Sequence, residues 1–148
     1  MRPSSSTINY PNEGSMTTPI TKGAHHIGLT VSKLEESAAF FVSVLGWKEV
    51  RRNEEYPAIF VSDGSIMLTL WATKEEPSTP FNRKANVGLH HLALEVETEA
   101  ALNDIHERLM SSGTPIEFAP ELVRQGPAKH AMCYEPSGIR VEFMWPGK

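Results

Sequence analysis

A short motif occurs twice in this chain of 148 residues, and the repeat constrains the fold more than any other feature. The first copy reads His-His-Ile-Gly-Leu-Thr-Val over residues 25–31, and the second reads His-His-Leu-Ala-Leu-Glu-Val over residues 90–96. Side chains alternate between the two faces of a strand. Each copy therefore predicts a strand with one apolar face, suited to packing under a helix, and one open face that begins with a histidine, His26 or His91.

The segments that follow the two copies also match each other. Each strand is followed by apolar residues at helical spacing and then by three short strand-like runs that are separated by turn signals. Ser32, with Glu35 three residues later, predicts a capping box at the start of the first helix, and Thr98 predicts the N-cap of the second. A period near 65 to 74 residues predicts two fused modules, 24–72 and 88–146, rather than a solenoid.

These modules indicate the fold class and the domain organisation. We predict an α+β fold in which two strand-helix-strand-strand-strand modules form a cupped mixed sheet around a cavity. Residues 1–22 contain serine and proline but little periodic apolar content, so we expect a flexible tail that precedes a single domain over residues 23–148. Residues 73–87 are predicted to be a polar linker, and residues 119–129 are predicted to be a loop.

Composition limits the classes of partner. The net charge of −4 and the scattered lysines and arginines argue against nucleic acid or an anionic membrane as the main partner. The single cysteine, Cys133, excludes an intramolecular disulfide framework and suits a reducing compartment. The longest apolar runs are too short to span a bilayer. We therefore expect a cytoplasmic protein that binds a small-molecule substrate.

Three side chains on the open faces form a candidate metal site. Alternation along the last strand places Glu142 on the face opposite Val141 and Phe143. Together with His26 and His91, Glu142 completes the two imidazoles and one carboxylate of a 2-His-1-carboxylate site, which leaves positions open for water or substrate. A symmetric structural role, such as a hydrogen-bonded histidine at a module interface, explains the repeated histidines equally well.

Several further residues are candidates for chemistry or binding. His130 and Tyr134 alternate onto one face of the strand before that of Glu142, where His130 suits an acid or base and Tyr134 suits a hydrogen-bond donor. A histidine at the rim and a packed tyrosine are the simpler interpretation. Arg83 and Lys84 suit binding of an anionic group from a loop, although solvated loop charges are the simpler interpretation here too.

Four motifs in order carry a resemblance to a known family. They are residues 26–31, the helix end at residues 45–47, residues 91–96, and residues 135–143, which read Glu-Pro-Ser-Gly-Ile-Arg-Val-Glu-Phe. Over about residues 24–146 the chain resembles the glyoxalase/bleomycin-resistance/extradiol-dioxygenase superfamily, also called vicinal oxygen chelate (VOC) proteins. The resemblance implies paired βαβββ modules around a metal cavity and a homodimer. It also makes His26, His91 and Glu142 the ligands of a divalent ion, for which their chemistry allows Fe, Mn, Ni, Zn or Co.

Two departures from the family pattern leave the reaction open. Glyoxalase-like members carry a fourth Glu or Gln ligand in the first module, where family register points to Met67 and the internal repeat points to Leu68. The catalytic tyrosine of the ring-cleaving dioxygenases is replaced by Met132. The resemblance thus implies either a lyase or isomerase, with Glu142 as a base, or an Fe(II) dioxygenase. The alternatives are a thiol transferase of the fosfomycin-resistance type and a metal-free binding protein of the bleomycin-resistance type.

Overall fold

The computed structural model describes residues 17–148, so most of the predicted N-terminal tail lies outside the described residues. The first module contains β1 (His26–Val31), α1 (Leu34–Ala39) with a π-helical extension over Phe40–Val44, β2 (Lys48–Asn53), β3 (Ala58–Ser62) and β4 (Met67–Ala72). The second contains β5 (Leu92–Glu95), α2 (Glu99–Ser111), β6 (Ile116–Leu122), β7 (Lys129–Tyr134) and β8 (Arg140–Trp145). The predicted α+β fold of two βαβββ modules is confirmed.

Each module forms its own four-stranded mixed sheet. The strand order is β1-β4-β3-β2 in the first module and β5-β8-β7-β6 in the second. The first strand of each module pairs in parallel with the last strand of the same module, β1 with β4 and β5 with β8. Antiparallel pairs complete each sheet. Strands β1 and β5 therefore each lie at an edge of their sheet, where another element can pack against them.

The apolar strand faces predicted from alternation form the core. Leu29 and Val31 of β1 and Phe143 of β8 are buried in one cluster that also contains Phe41 and Leu102 from the two helices. Helix α1 packs on β3 and β4, and α2 packs on β6, β7 and β8. No helix within residues 17–148 is both long enough and apolar enough to cross a membrane.

Cys133 lies in this core. Its side chain is fully buried, and this burial raises the pKa of the thiol to about 12. A thiol with such a pKa stays protonated at neutral pH, so Cys133 is not a nucleophile in the folded protein.

A buried carboxylate joins the two modules. Glu135, which follows β7 and is 2% exposed, accepts a hydrogen bond of 2.5 Å from Ser37 Oγ on α1 of the other module. Its second oxygen accepts hydrogen bonds from the backbone amides of Ser137 and Ile139 at 2.7 and 3.0 Å. Burial raises the pKa of Glu135, although these hydrogen bonds act in the opposite direction.

The two predicted helix starts had different outcomes. Thr98 is the N-cap of α2, and its hydroxyl accepts a hydrogen bond from the Ala101 amide at 3.0 Å, which confirms that prediction. The predicted capping box of Ser32 and Glu35 is wrong. Lys33 is the N-cap of α1 and makes no side-chain cap. Glu35 instead forms an ion pair with Arg52 of β2, a partner that a local pattern does not reveal.

This difference leads to a paired prediction on stability. Thr98→Ala is expected to lower the free energy of unfolding by about 1 kcal/mol, because it removes a side-chain cap from an otherwise unpaired helix amide. Ser32→Ala is expected to change it by less than about 0.5 kcal/mol, as for a substitution outside a cap. Urea unfolding followed by circular dichroism measures both values. Equal losses for the two variants would contradict the cap assignment.

The loop predicted over residues 119–129 is shorter than expected. Strand β6 continues to Leu122 and pairs with β7 with two shifts of register, and the second shift, between Phe118 and Glu121, accommodates Pro120 in this edge strand. The chain then turns through Arg124 and Gly126, which have φ values of 54° and 77°. Pro120 thus interrupts the hydrogen-bonded pairing but not the extended backbone.

Candidate functional site

The predicted site residues of the second module share one face of its sheet. In the antiparallel pairing of β7 with β8, Met132 lies opposite Glu142 and Tyr134 lies opposite Arg140. Residues that lie directly opposite each other in neighbouring strands point to the same face. His130, two residues before Met132, therefore lies on this face as well. The face opposes the one that packs under α2, so it is the open face expected from the sequence.

Glu142 lies between two imidazoles on this face. Its side chain is only 10% exposed. One oxygen, Oε2, is 2.8 Å from His130 Nδ1 and forms a hydrogen bond with it. The other oxygen, Oε1, is 3.8 Å from His91 Nε2, which is too far for a hydrogen bond. The carboxylate is thus fixed on one side and faces an imidazole nitrogen across a gap on the other.

Each histidine on the open face is held by the histidine that precedes it. His90 Nδ1 is 2.7 Å from His91 Nδ1, and His25 Nδ1 is 2.9 Å from His26 Nδ1. Because one ring must donate and the other must accept, the two tautomers of each pair are linked. The contact uses Nδ1 and leaves Nε2 of His91 directed at Glu142.

The second module fits part of a metal site. A nitrogen and an oxygen that bind one ion lie about 2.0–2.2 Å from it, so the 3.8 Å gap between His91 and Glu142 suits an ion between them. The hydrogen bond from His130 matches the outer partner that orients a ligating carboxylate. Within residues 17–148, however, no three His, Cys, Asp or Glu side chains are grouped closely enough to hold an ion.

His26 is the predicted ligand that the structure does not bring to this cluster. It lies at the start of β1 and is exposed. Its side-chain contact is with His25, and among the described residues it forms no ion pair with a carboxylate. Two of the three predicted ligands, His91 and Glu142, therefore lie together in one chain, and the full ligand set stays a prediction.

Strand register identifies the first-module counterpart of Glu142. Glu142 lies opposite Ala93, the second residue after His91. In the first module the second residue after His26 is Gly28, and it lies opposite Thr69. By register, Thr69 occupies the position of Glu142.

Neither residue expected from the sequence occupies that position. Leu68, to which the internal repeat points, is fully buried on the helix-covered face. Met67 shares the open face but lies two residues away from Thr69. Thr69 is 3% exposed, and its hydroxyl accepts a hydrogen bond from Trp71 Nε1 at 2.9 Å. The first module thus places a buried threonine, and no carboxylate, at the position that corresponds to Glu142.

A second polar cluster adjoins Glu142 on the same face. Arg140 donates two hydrogen bonds to the Glu117 carboxylate, from Nε at 3.0 Å and from Nη2 at 2.7 Å. Tyr134 donates its hydroxyl to the same carboxylate, and Arg83 Nη1 is 3.2 Å from the Tyr134 oxygen. The hydrogen bonds from Arg140 and Tyr134 lower the pKa of Glu117 to about 2, so this carboxylate is ionised at neutral pH.

Comparison with known proteins places this arrangement in a family. The family profile described as Glyoxalase/Bleomycin resistance protein/Dioxygenase superfamily matches residues 23–143. The chain belongs to this superfamily. The match includes both modules, both histidine doublets and Glu142, so the VOC resemblance of the four sequence motifs is confirmed for nearly the whole folded part.

Individual relatives agree with this assignment. The chain is 30% identical over 127 residues to the uncharacterized protein YqjT of Bacillus subtilis (strain 168). The aligned region covers 82% of this chain and 98% of that protein. It is 33% identical over 96 residues to a catechol-2,3-dioxygenase of the same organism, covering 62% of this chain and 33% of that protein. A glyoxylase/bleomycin resistance protein/dioxygenase domain from Frankia sp. EAN1pec has the same fold, with a TM-score of 0.75, 23% identity, and coverage of 85% and 93% of the two chains.

Two residues of this VOC chain contribute to the site although strand parity did not select them. His90 contacts His91 and lies 3.4 Å from Arg140 Nη1. Glu117 organises Arg140, Tyr134 and Arg83. The repetition of the whole doublet, rather than of single histidines, was a usable signal for His90. Glu117 gave no such signal, because its partners come from separate parts of the chain.

Proposed function

We propose that this VOC chain is a metal-dependent enzyme for a small oxygenated substrate that binds the ion through two neighbouring oxygens. The observation that carries the proposal is the 3.8 Å gap between His91 Nε2 and Glu142 Oε1, with the other carboxylate oxygen held by His130. A divalent ion of Fe, Mn, Ni, Zn or Co would polarise the substrate oxygens and stabilise negative charge on them.

His91 and Glu142 would supply two ligands from one chain, and His26 of a second copy would supply the third. The exposed position of His26 on an edge strand supports this assignment, as does the absence of a three-ligand group within residues 17–148. A twofold dimer exchanges identical surfaces, so each copy would give its His26 to the other and two equal sites would result. The proposed partner is therefore a second copy of this chain.

Proton transfer at the site would fall to Glu142 and His130. Their direct contact of 2.8 Å lets a proton that Glu142 accepts from the substrate be shared with the imidazole. Met132, which lies opposite Glu142 and is 3% exposed, would keep water from this contact. Tyr134 donates to Glu117 rather than to Glu142, so we assign it to substrate positioning instead of proton transfer.

The proposed chemistry has two versions, and a thiol transferase and a metal-free binding protein are the competing functions. Proton transfer without oxygen would make the chain a lyase or isomerase, and the similarity to a catechol-2,3-dioxygenase favours oxygen-dependent cleavage by Fe(II). A metal-free binding protein is favoured by a different observation. The hydrogen bond from His130 satisfies one oxygen of the Glu142 carboxylate without an ion.

Metal content separates these functions. Wild-type protein supplied with each candidate ion and then desalted is expected to retain about one ion per chain, and His91→Ala is expected to lose at least about tenfold in affinity. His106→Gln is the matched control, because it changes a histidine on α2, which packs on the face of the second sheet opposite the one that carries Glu142. A wild-type protein that retains none of the ions would support the binding protein instead.

The same samples then assign the reaction. Oxygen uptake over a panel of catechols with the Fe(II) form would support the dioxygenase. Turnover of a hemithioacetal without oxygen uptake would support the lyase or isomerase. Glutathione-dependent turnover of fosfomycin would support the thiol transferase. In each case Glu142→Gln is expected to abolish turnover while the fold, measured by circular dichroism, is retained.

A further inference from the structure

A cleft of about 470 Å³ lies beside the candidate metal site. Strand β1, the linker between the modules and the start of β8 form its walls, and its charged or polar lining includes Arg83, His90, Tyr134 and Arg140. Of the described residues that line it, none is a predicted metal ligand. The cleft is therefore a separate feature with its own chemistry.

The charge of the cleft is positive. Arg83 and Arg140 are cations, and among residues 17–148 Glu117 is the one carboxylate that forms an ion pair with either of them. Glu117 is already satisfied by two hydrogen bonds from Arg140 and one from Tyr134. Two guanidinium groups and one carboxylate leave one net positive charge, which is complementary to a single anionic group.

Both guanidinium groups have donors without a good partner in the described residues. Arg83 Nη2 is 3.8 Å from the nearest Glu117 oxygen, which is beyond hydrogen-bonding distance. Arg140 Nη1 lies 3.4 Å from His90 Nδ1, and that nitrogen is also 2.7 Å from His91 Nδ1. A neutral imidazole has a single lone pair, so His90 is a poor acceptor for Arg140.

The linker gives the cleft an apolar side. Phe81 and Leu89 line it and are 49% and 40% exposed, which is unusual for large apolar side chains. Val87 lines the same wall and is also exposed. Contiguous exposed apolar residues beside polar groups mark a surface for ligand binding.

Strand geometry connects the cleft with Glu142. Arg140 and Glu142 are two residues apart on β8 and share one face. Two residues along a strand correspond to about 7 Å. One small molecule is long enough to contact both places.

We propose that this cleft binds the anionic group of a small molecule, a carboxylate or a phosphate, through Arg83 and Arg140, while Phe81 and Leu89 contact its apolar part. The assignment of this molecule as the substrate rests on the proposed function. The substrate then carries one negative charge on the side of Arg140, whose backbone lies about 7 Å along β8 from that of Glu142.

Binding to metal-free protein tests the cleft independently of the ion. The probes are benzoate, its neutral analogue benzamide, and inorganic phosphate, each titrated in the presence of EDTA and followed by isothermal calorimetry. Arg83→Gln is expected to weaken binding of the anion by about tenfold or more, because it removes a charged donor. Lys84→Gln removes the same charge from the adjacent linker residue outside the cleft and is expected to change binding by less than about twofold.

Each outcome decides the proposal. Binding of benzoate or phosphate that depends on Arg83, with benzamide at least about tenfold weaker than benzoate, supports it and identifies which anion is preferred. Equal effects of Arg83→Gln and Lys84→Gln overturn it, and so does no binding of either anion at about 10 mM. If the protein binds the anion but no metal, the proposed enzyme function is wrong and the proposal of an anion-binding cleft still stands.

Discussion

Mixing the His26→Ala and Glu142→Gln variants is expected to restore about one quarter of the wild-type metal sites, although neither variant alone forms a complete site. The reason is geometric, because His91 and Glu142 face each other within one chain while His26 does not join them. In a mixed dimer, one site would collect both substitutions and the other would be intact. Unfolding the two variants together, refolding them and measuring bound metal per chain tests this expectation.

A second mixture provides the matched control. His91→Ala and Glu142→Gln change two ligands that belong to the same chain, so a mixed dimer of these variants would have one damaged ligand in each site. No metal is expected in this mixture. If both mixtures bind none while the wild type binds metal, the ligands come from a single chain and the shared-site arrangement is wrong.

The Glu135→Ala variant is expected to have a free energy of unfolding about 3 kcal/mol lower than that of the wild type, because it removes the acceptor of several buried donors. The amides of Ser137 and Ile139 and the hydroxyl of Ser37 would all lose the carboxylate that accepts from them. Glu135→Gln keeps one carbonyl oxygen for the two amides, so its loss is expected to be smaller. Urea unfolding of the three proteins at the same pH measures these differences.

The free energy of unfolding should also depend differently on pH in the wild type and in Glu135→Gln. Because burial raises the pKa of Glu135 in the folded protein, protonation of this group favours folding. Its contribution is complete below the unfolded value of about 4.3 and is lost as the pH rises through the higher folded value. Wild-type stability should therefore decline relative to Glu135→Gln as the pH rises across this interval. Parallel pH profiles would show that Glu135 is not the group responsible.

The fold was predictable because its main signals are local. Alternation in β1 and β5 and the helical spacing after Thr98 each depend on neighbouring residues, and the repeat of both patterns gave the two modules. The capping box failed for the opposite reason. Glu35 had a stronger partner in Arg52, 17 residues away, which no local pattern contains.

The sequence predicted which strand face carries the candidate site residues. It did not predict the strand register in the first module or how the two modules pack. Parity placed Glu142 and His130 together correctly, since strand side chains alternate strictly. The counterpart in the first module was missed because a shift of one residue moves a side chain to the other face, which separates Leu68 from Thr69. The position of His26 relative to Glu142 depends on how whole modules pack, and the sequence of either strand carries no information on that.

The buried contact between Ser37 and Glu135 has a consequence for the duplicated architecture. Each half repeats the other in element order, yet the buried carboxyl group of Glu135 in one half accepts a hydrogen bond from Ser37 in the opposite half. Separating the halves would bring this group back into water and break the contact with α1. The two repeats are therefore not interchangeable, and we expect the chain to unfold as one cooperative unit rather than half by half.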